Sequence, residues 1–206
     1  MRISIVTNTI YKQEPRYIEL TDALKTRWCA AHGVEYIRSH YNPHPDLHPC
    51  WCKPSVLLKF FEGRDWLIWM DADAAPIGGA DLPALFAEAK DRMVIGRDIN
   101  GFNAGVFAIP CSDFGRHLLG AVEAHCGDEK YQRGFREQQC IADILEACPD
   151  MGYIPPPEVG WNSYPNIYRR GGDPNIYRFG HWCLHIPGAS DATRERIFEE
   201  VLNEDF

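Results

Sequence analysis

A chain of 206 residues, 45% apolar and 24% charged, has the size and make-up of one globular domain. Its formal net charge of -8 argues against nucleic acid or an anionic membrane as partner, so an anionic substrate would need a metal or a few placed cations. No segment approaches the roughly 18 apolar residues of a membrane span, and Met1-Arg-Ile-Ser-Ile-Val-Thr is too short an apolar start for a signal peptide.

Residues 2–8 are apolar and β-branched and read as a buried strand. Over 16–32, Ile18, Leu20, Ala23, Leu24, Trp28 and Ala31 recur at helical spacing, and Gly33 is a helix stop. A strand over 34–38 completes a βαβ unit. Residues 40–54 are irregular and hold His40, His44, His48, Cys50 and Cys52. Their spacing matches no zinc pattern, and a surface loop over a cleft is the expectation. A short helix follows over 53–61, then the apolar strand Trp66–Met70. Asp81 is the expected N-cap of a helix over 82–90. Strands are expected over 93–96 and, after Asn100-Gly101, over 102–109. Ser112 or Asp113 opens a helix to about residue 125, and another covers 136–147. Residues 149–180 are loop-like; Trp161, Tyr164 and Tyr168 there have the character to stack on a ligand or to pack in a core or lid. A last strand covers 181–186, and Asp191 opens a final helix to about residue 202.

Strands alternate with helices, and neither a repeat nor a linker interrupts them, so one α/β domain over residues 1–206 is predicted. The eight cysteines are scattered with no paired CxxC spacing, which reads as free thiols and a cytoplasmic setting.

The stretch from Trp66 to Pro76 carries the strongest chemical signal. Five apolar residues run into Asp71-Ala-Asp73. Residues i and i+2 of an extended chain project to one side, so both acids meet where the strand leaves the sheet. Ligands of open α/β sheets collect at the carboxyl ends of strands. Two carboxylates there can hold a hard divalent ion that completes its shell with water and phosphate oxygens. On the tripeptide alone, a solvated acidic loop fits as well.

Further motifs fall in order around it. They are Trp51-Cys-Lys53 before it, then Phe102-Asn-Ala-Gly-Val-Phe107, Glu137-Gln138 and His185-Ile-Pro-Gly188. Over about residues 51 to 188 the chain resembles GT-A glycosyltransferases, and among them the family of plant xyloglucan xylosyltransferases and fungal galactosyl- and mannosyltransferases. The resemblance implies a Rossmann-like nucleotide-sugar-binding domain with a mixed, mainly parallel central sheet flanked by helices. Residues 1–110 would form its donor half, and 111–206 an acceptor half carrying a metal-binding histidine. It implies transfer of a hexose or pentose from a nucleotide-diphosphate sugar, UDP-sugar favoured, to a hydroxyl acceptor with retention. Mn²⁺ or Mg²⁺ would be held by Asp71, Asp73 and His185. His181 competes with His185, because both would share a strand face; the His-x-x-Gly context favours His185. Thr7 and Asn8 would hold base and ribose, and Lys53 the phosphates. Ala72 and Gly188 would complete the donor site, and Asn103 and Gly105 would line the sugar pocket. Gln138 would contact the donor sugar. Glu137 would stabilise positive charge at the anomeric carbon or act as a nucleophile.

Two rival chemistries lack their signatures. A phosphatase of the DxDx[TV] type needs Thr or Val after the second acid, where this chain has Ala74-Ala75. A nucleotidyltransferase needs a glycine-rich loop after strand one, and Asn8-Thr-Ile-Tyr-Lys12 has no glycine. A non-catalytic sugar- or nucleotide-binding module stays open.

Overall fold

A computed structural model describes residues 1–98, 100–165 and 176–203. The apolar runs build a six-stranded sheet in the order β2-β1-β3-β6-β5-β7. Its strands are β1 (Ile3–Asn8), β2 (Glu35–Ser39), β3 (Trp66–Met70), β5 (Met93–Asp98), β6 (Gly101–Pro110) and β7 (Gly152–Tyr153). Pairings β1–β2, β1–β3 and β5–β7 are parallel, while β6 runs against both of its neighbours. The expected mixed, mainly parallel sheet is the one observed. Helices α1 (Arg16–His32), α2 (Lys53–Lys59), α3 (Leu82–Ala89), α4 (Asp113–Ala124), α5 (Glu137–Ala147) and α6 (Asp191–Asn203) flank it.

Local signals explain most boundaries. Gly33, at φ 66, ends α1 and returns its N–H to Cys29 O. The Asp81 carboxylate caps α3 at Ala84 N, and Ser112 caps α4 at Gly115 N. The helix expected over 53–61 stops at Lys59, and that expected from 136 begins at Glu137. Arg136 stands before it at φ 49 and ψ -116, outside the left-handed helical well, a strained conformation of the kind that costs on the order of 1–3 kcal/mol.

Side chains of β3 alternate between the two faces of the sheet. Leu67 and Trp69 join Trp51, Leu57, Phe107, Leu118 and Ile141 on one side. Trp66, Ile68 and Met70 join Trp28, Phe86, Trp161 and Trp182 on the other. There Trp66 stacks on Phe86 with ring centres 4.2 Å apart, and Trp161 on Trp182 at 4.5 Å. Trp161 is therefore core, and its indole N–H donates to Val106 O at 3.1 Å. Of the two expectations for Trp161, ligand stacking or core packing, its burial selects the second. Tyr168 lies outside the described residues.

No strand is expected from the sequence directly after the two acids. The structure has one, β4 (Ala74–Pro76), paired antiparallel with β8 (Cys183–His185) in a separate two-stranded ribbon. Its register sets Ala74 opposite His185. Among the described residues, no helix is long and apolar enough to cross a membrane.

Candidate active site

The turn that carries the two acids is tied down at every peptide. Thr7 Oγ1 donates to Met70 O at 2.8 Å, Lys25 Nζ to Asp71 O at 3.2 Å and Thr21 Oγ1 to Ala72 O at 2.8 Å. Ile186 N donates to Asp73 O at 2.9 Å, and Asp71 N to Gly105 O at 2.8 Å. The antiparallel β6 makes the last bond possible, because its Asn103–Gly105 end reaches the end of β3. A turn held this way keeps its carboxylates in place before any ligand arrives.

Asp71, Asp73 and His185 converge there, each offering one ligand atom, all within 4.8 Å of one another. Ligand atoms about 2.4 Å from one ion lie at most about 4.8 Å apart, so the cluster is of a size that one ion can span. His185 is buried, with Nδ1 2.8 Å from Asn162 Oδ1 and Nε2 3.4 Å from Asp73 Oδ1. Asn162 Oδ1 accepts the Nδ1 proton, so Nε2 faces the Asp73 carboxylate either as a donor, in the imidazolium, or with a lone pair open to a cation. Burial pushes the Asp73 carboxyl up, but His185 and Arg194 outweigh it and hold it below the usual range. The donor set fits a divalent ion.

His181 does not join this group. Its Nδ1 meets Ser163 Oγ at 2.7 Å, and its ring occupies the space where a Cβ on Gly160 would sit, 2.2 Å from His181 Cβ. The histidines of the 40–54 loop take separate partners as well. His44 pairs with Glu123, His40 with Thr9 and His48 with Cys50.

Lys53 lies buried beside the acids. Its ammonium meets Glu137 Oε1 at 2.8 Å, Ala104 O at 2.9 Å and Asp71 Oδ1 at 3.1 Å. Its three protons are thus accounted for within the protein. Burial pulls the ammonium down, yet Asp71 and Glu137 more than offset it and hold it charged. Burial likewise pushes the Glu137 carboxyl up, and Lys53 reverses that. Trp69 Nε1 donates to Asp71 Oδ1 at 2.7 Å. Gln138 Oε1 accepts from Ala104 N at 3.0 Å, which aims the start of α5 at β6.

Asn103 accepts from Gly105 N at 2.9 Å and donates to Asp98 at 3.0 Å, where the Tyr164 hydroxyl also donates at 2.8 Å. Gly105 makes room for the histidine: a Cβ there would lie 2.1 Å from His185 Cε1. The close approach that this glycine permits is that of the imidazole. Thr7 is fully buried with its hydroxyl committed to Met70, while Asn8 bonds Tyr41 O at 3.1 Å near the strand end. Ala72 lies between the acids, half-buried, and Gly188 is exposed at φ 67 just beyond His185.

Asn162, Arg194, Thr21 and Lys25 were absent from the sequence reading of the site. Thr21 and Lys25 had left a trace, since they interrupt the stripe Ile18, Leu24, Trp28 on α1 and are fully buried there. Arg194 likewise lies one turn before the buried Ile197 and Phe198. Asn162, in a loop, left none.

No protein-family model matches the sequence, and no curated protein does. Solved structures match by fold. The chain is similar to a glycosyltransferase involved in the glycosylation of the major capsid of PBCV-1, with TM-score 0.80 and 15% identity over 97% of this chain and 100% of that one. It is similar to GlyE of Streptococcus pneumoniae TIGR4, a glycosyltransferase, with TM-score 0.64 and 15% identity over 99% of this chain and 61% of that one. It is also similar to the galactosyltransferase LgtC, solved with donor and acceptor sugar analogues, with TM-score 0.63 and 14% identity over 97% and 95% of the two chains. At these identities the likeness is one of architecture, and the chain has the GT-A fold of these glycosyltransferases.

Proposed function

We propose that this chain is a metal-dependent glycosyltransferase that moves a hexose or pentose from a nucleotide-diphosphate sugar, UDP-sugar favoured, to a hydroxyl acceptor with retention. The observation that carries this reading is the meeting of Asp71, Asp73 and His185 at the carboxyl end of β3. Its support is the fold, shared with an enzyme solved with donor and acceptor sugar analogues. In this reading residues 1–206 act as one domain. Residues 1–110 form the donor half, and 111–206 the acceptor half, from which His185 returns to complete the metal site.

The three ligands hold Mn²⁺ or Mg²⁺, which when bound supplies Lewis-acid stabilisation of the departing diphosphate. Lys53, with its protons engaged, orients Asp71 and Glu137 rather than gripping phosphate directly. Glu137 is held ionised, and it faces charge that develops at the anomeric carbon. Its pairing with Lys53 favours this electrostatic role over nucleophilic attack. Gln138, anchored through its carbonyl, keeps its amide protons for the donor sugar. Asn8 and Ala72 border the nucleotide, with Thr7 shaping the strand end behind them. Gly188 lets backbone approach the phosphates. Asn103 borders the sugar.

Calorimetric titration with UDP and GDP, with and without Mn²⁺, tests the reading. Binding that requires Mn²⁺ is expected, together with its loss in Asp73→Asn and His185→Ala and its survival in His181→Ala. Failure of both nucleotides to bind in Mn²⁺ would sink the proposal.

A further inference from the structure

Arg194 reaches the candidate metal site from α6. Its Nη2 donates to Asp73 Oδ2 at 2.9 Å and its Nε to Ile186 O at 3.0 Å. Its Nη1 lies 3.2 Å from Asp191 Oδ1, and the guanidinium carbon sits 5.0 Å from the centre of the Tyr17 ring. The group is largely buried, with its side chain 14% exposed. One planar fork thus grips the carboxylate of Asp73 and the carbonyl of the residue that follows His185. Ile186 N returns the link by donating to Asp73 O.

This divides the carboxylate of Asp73. Oδ2 belongs to the guanidinium, and Oδ1, 3.4 Å from His185 Nε2, is left for an ion. Asp71 is similarly engaged, since its Oδ1 accepts from Trp69 and meets Lys53. Each acid can then offer an ion a single oxygen. Small divalent ions with octahedral shells accept such ligands and keep their waters. Ca²⁺ seeks six to eight oxygens, and a carboxylate that chelates through both of its oxygens helps it reach that number.

We infer that Arg194 is a specificity-determining residue of the metal site, one that holds Asp73 monodentate and so selects Mn²⁺ or Mg²⁺ over Ca²⁺. The inference rests on the metal reading of Asp71, Asp73 and His185. Without the guanidinium, Oδ2 is free to swing onto a larger ion. A merely structural Arg194 would, on removal, weaken all ions alike.

The test is the ratio of Kd values for Ca²⁺ and Mn²⁺, measured by calorimetry on the full chain. In Arg194→Met the ratio should fall by about tenfold or more, from the freed carboxylate oxygen. Arg194→Lys, which keeps a cation but loses the fork, should lower the ratio less than Arg194→Met does. Should Arg194→Met fail to fold, Arg194→Gln carries the test with a smaller fall in the same direction. An unchanged ratio in a folded variant overturns the role of Arg194 and leaves the metal site standing. A parent chain that binds no Mn²⁺ overturns both.

Discussion

Gly105→Ala is the sharpest test of how β6 and β8 assemble the site. The added methyl would stand 2.1 Å from His185 Cε1 and 2.8 Å from both ring nitrogens. The nearest contact is about 1.5 Å inside the optimal separation of carbon atoms. The ring cannot yield in place, because it is buried and bonded to Asn162 Oδ1 at 2.8 Å. It must leave its pocket, and Nε2 then loses its position 3.4 Å from Asp73. Overpacking of this kind costs roughly 1–3 kcal/mol. For a chain of this length that lowers Tm by roughly 2–4 °C per kcal/mol. Displacing a ligand should weaken Mn²⁺ by at least the 10–100-fold typical of disturbed supporting groups. The assay is Mn²⁺ calorimetry beside thermal unfolding. Gly120→Ala is the control, since nothing lies within 4 Å of a Cβ on that exposed position of α4. The control should bind Mn²⁺ normally and gain up to about 1 kcal/mol in stability. If Gly105→Ala binds Mn²⁺ as the parent does, the imidazole is not a ligand held against this glycine.

Lys53→Met leaves Glu137 buried and unpaired, and should cost about 3–5 kcal/mol in urea unfolding. Adding Glu137→Gln should restore most of that loss; an additive double variant would refute the pairing argument. Lys25 is buried enough that its ammonium is pulled down to about 8, against an ordinary value of 10.5. A depressed lysine binds fewer protons folded than unfolded, so stability rises with pH between those two values. The parent should therefore gain roughly 3 kcal/mol on Lys25→Met as pH goes from 7 to 10.5. A pH-independent difference in unfolding free energy between the two would rule this out.

Much of the molecule was legible from local pattern. The helix over 16–32 and its stop at Gly33, the strand Trp66–Met70, and the caps Asp81 and Ser112 occur where periodicity and turn chemistry put them. These depend on residues a few positions apart, whose geometry the chain carries within itself. The meeting of Asp71 with Asp73 is not of that kind. The chain turns there instead of running extended, with Ala74 N donating to Asp71 O at 3.1 Å. Thr7, Thr21, Lys25 and Gly105 hold the turn from elsewhere in the chain. What escaped were contacts between distant segments. Ala74-Ala-Pro76 has little intrinsic preference for a strand, and it becomes one only because β8 lies beside it.

The sequence by itself determined the strand that leads to the two acids at the carboxyl end of the sheet, and the types of residue able to hold a cation. Tertiary structure decided which histidine joins them. On a lone strand His181 and His185 are equivalent. The register that sets Ala74 against His185, the space left by Gly105 and the amide of Asn162 bring one imidazole to Asp73, while Ser163 and Gly160 hold the other away. Tertiary structure also decided that Lys25, Thr21 and Arg194 turn inward. Each finds a buried oxygen of the acidic turn to bond, and a polar group leaves water only where such a partner waits.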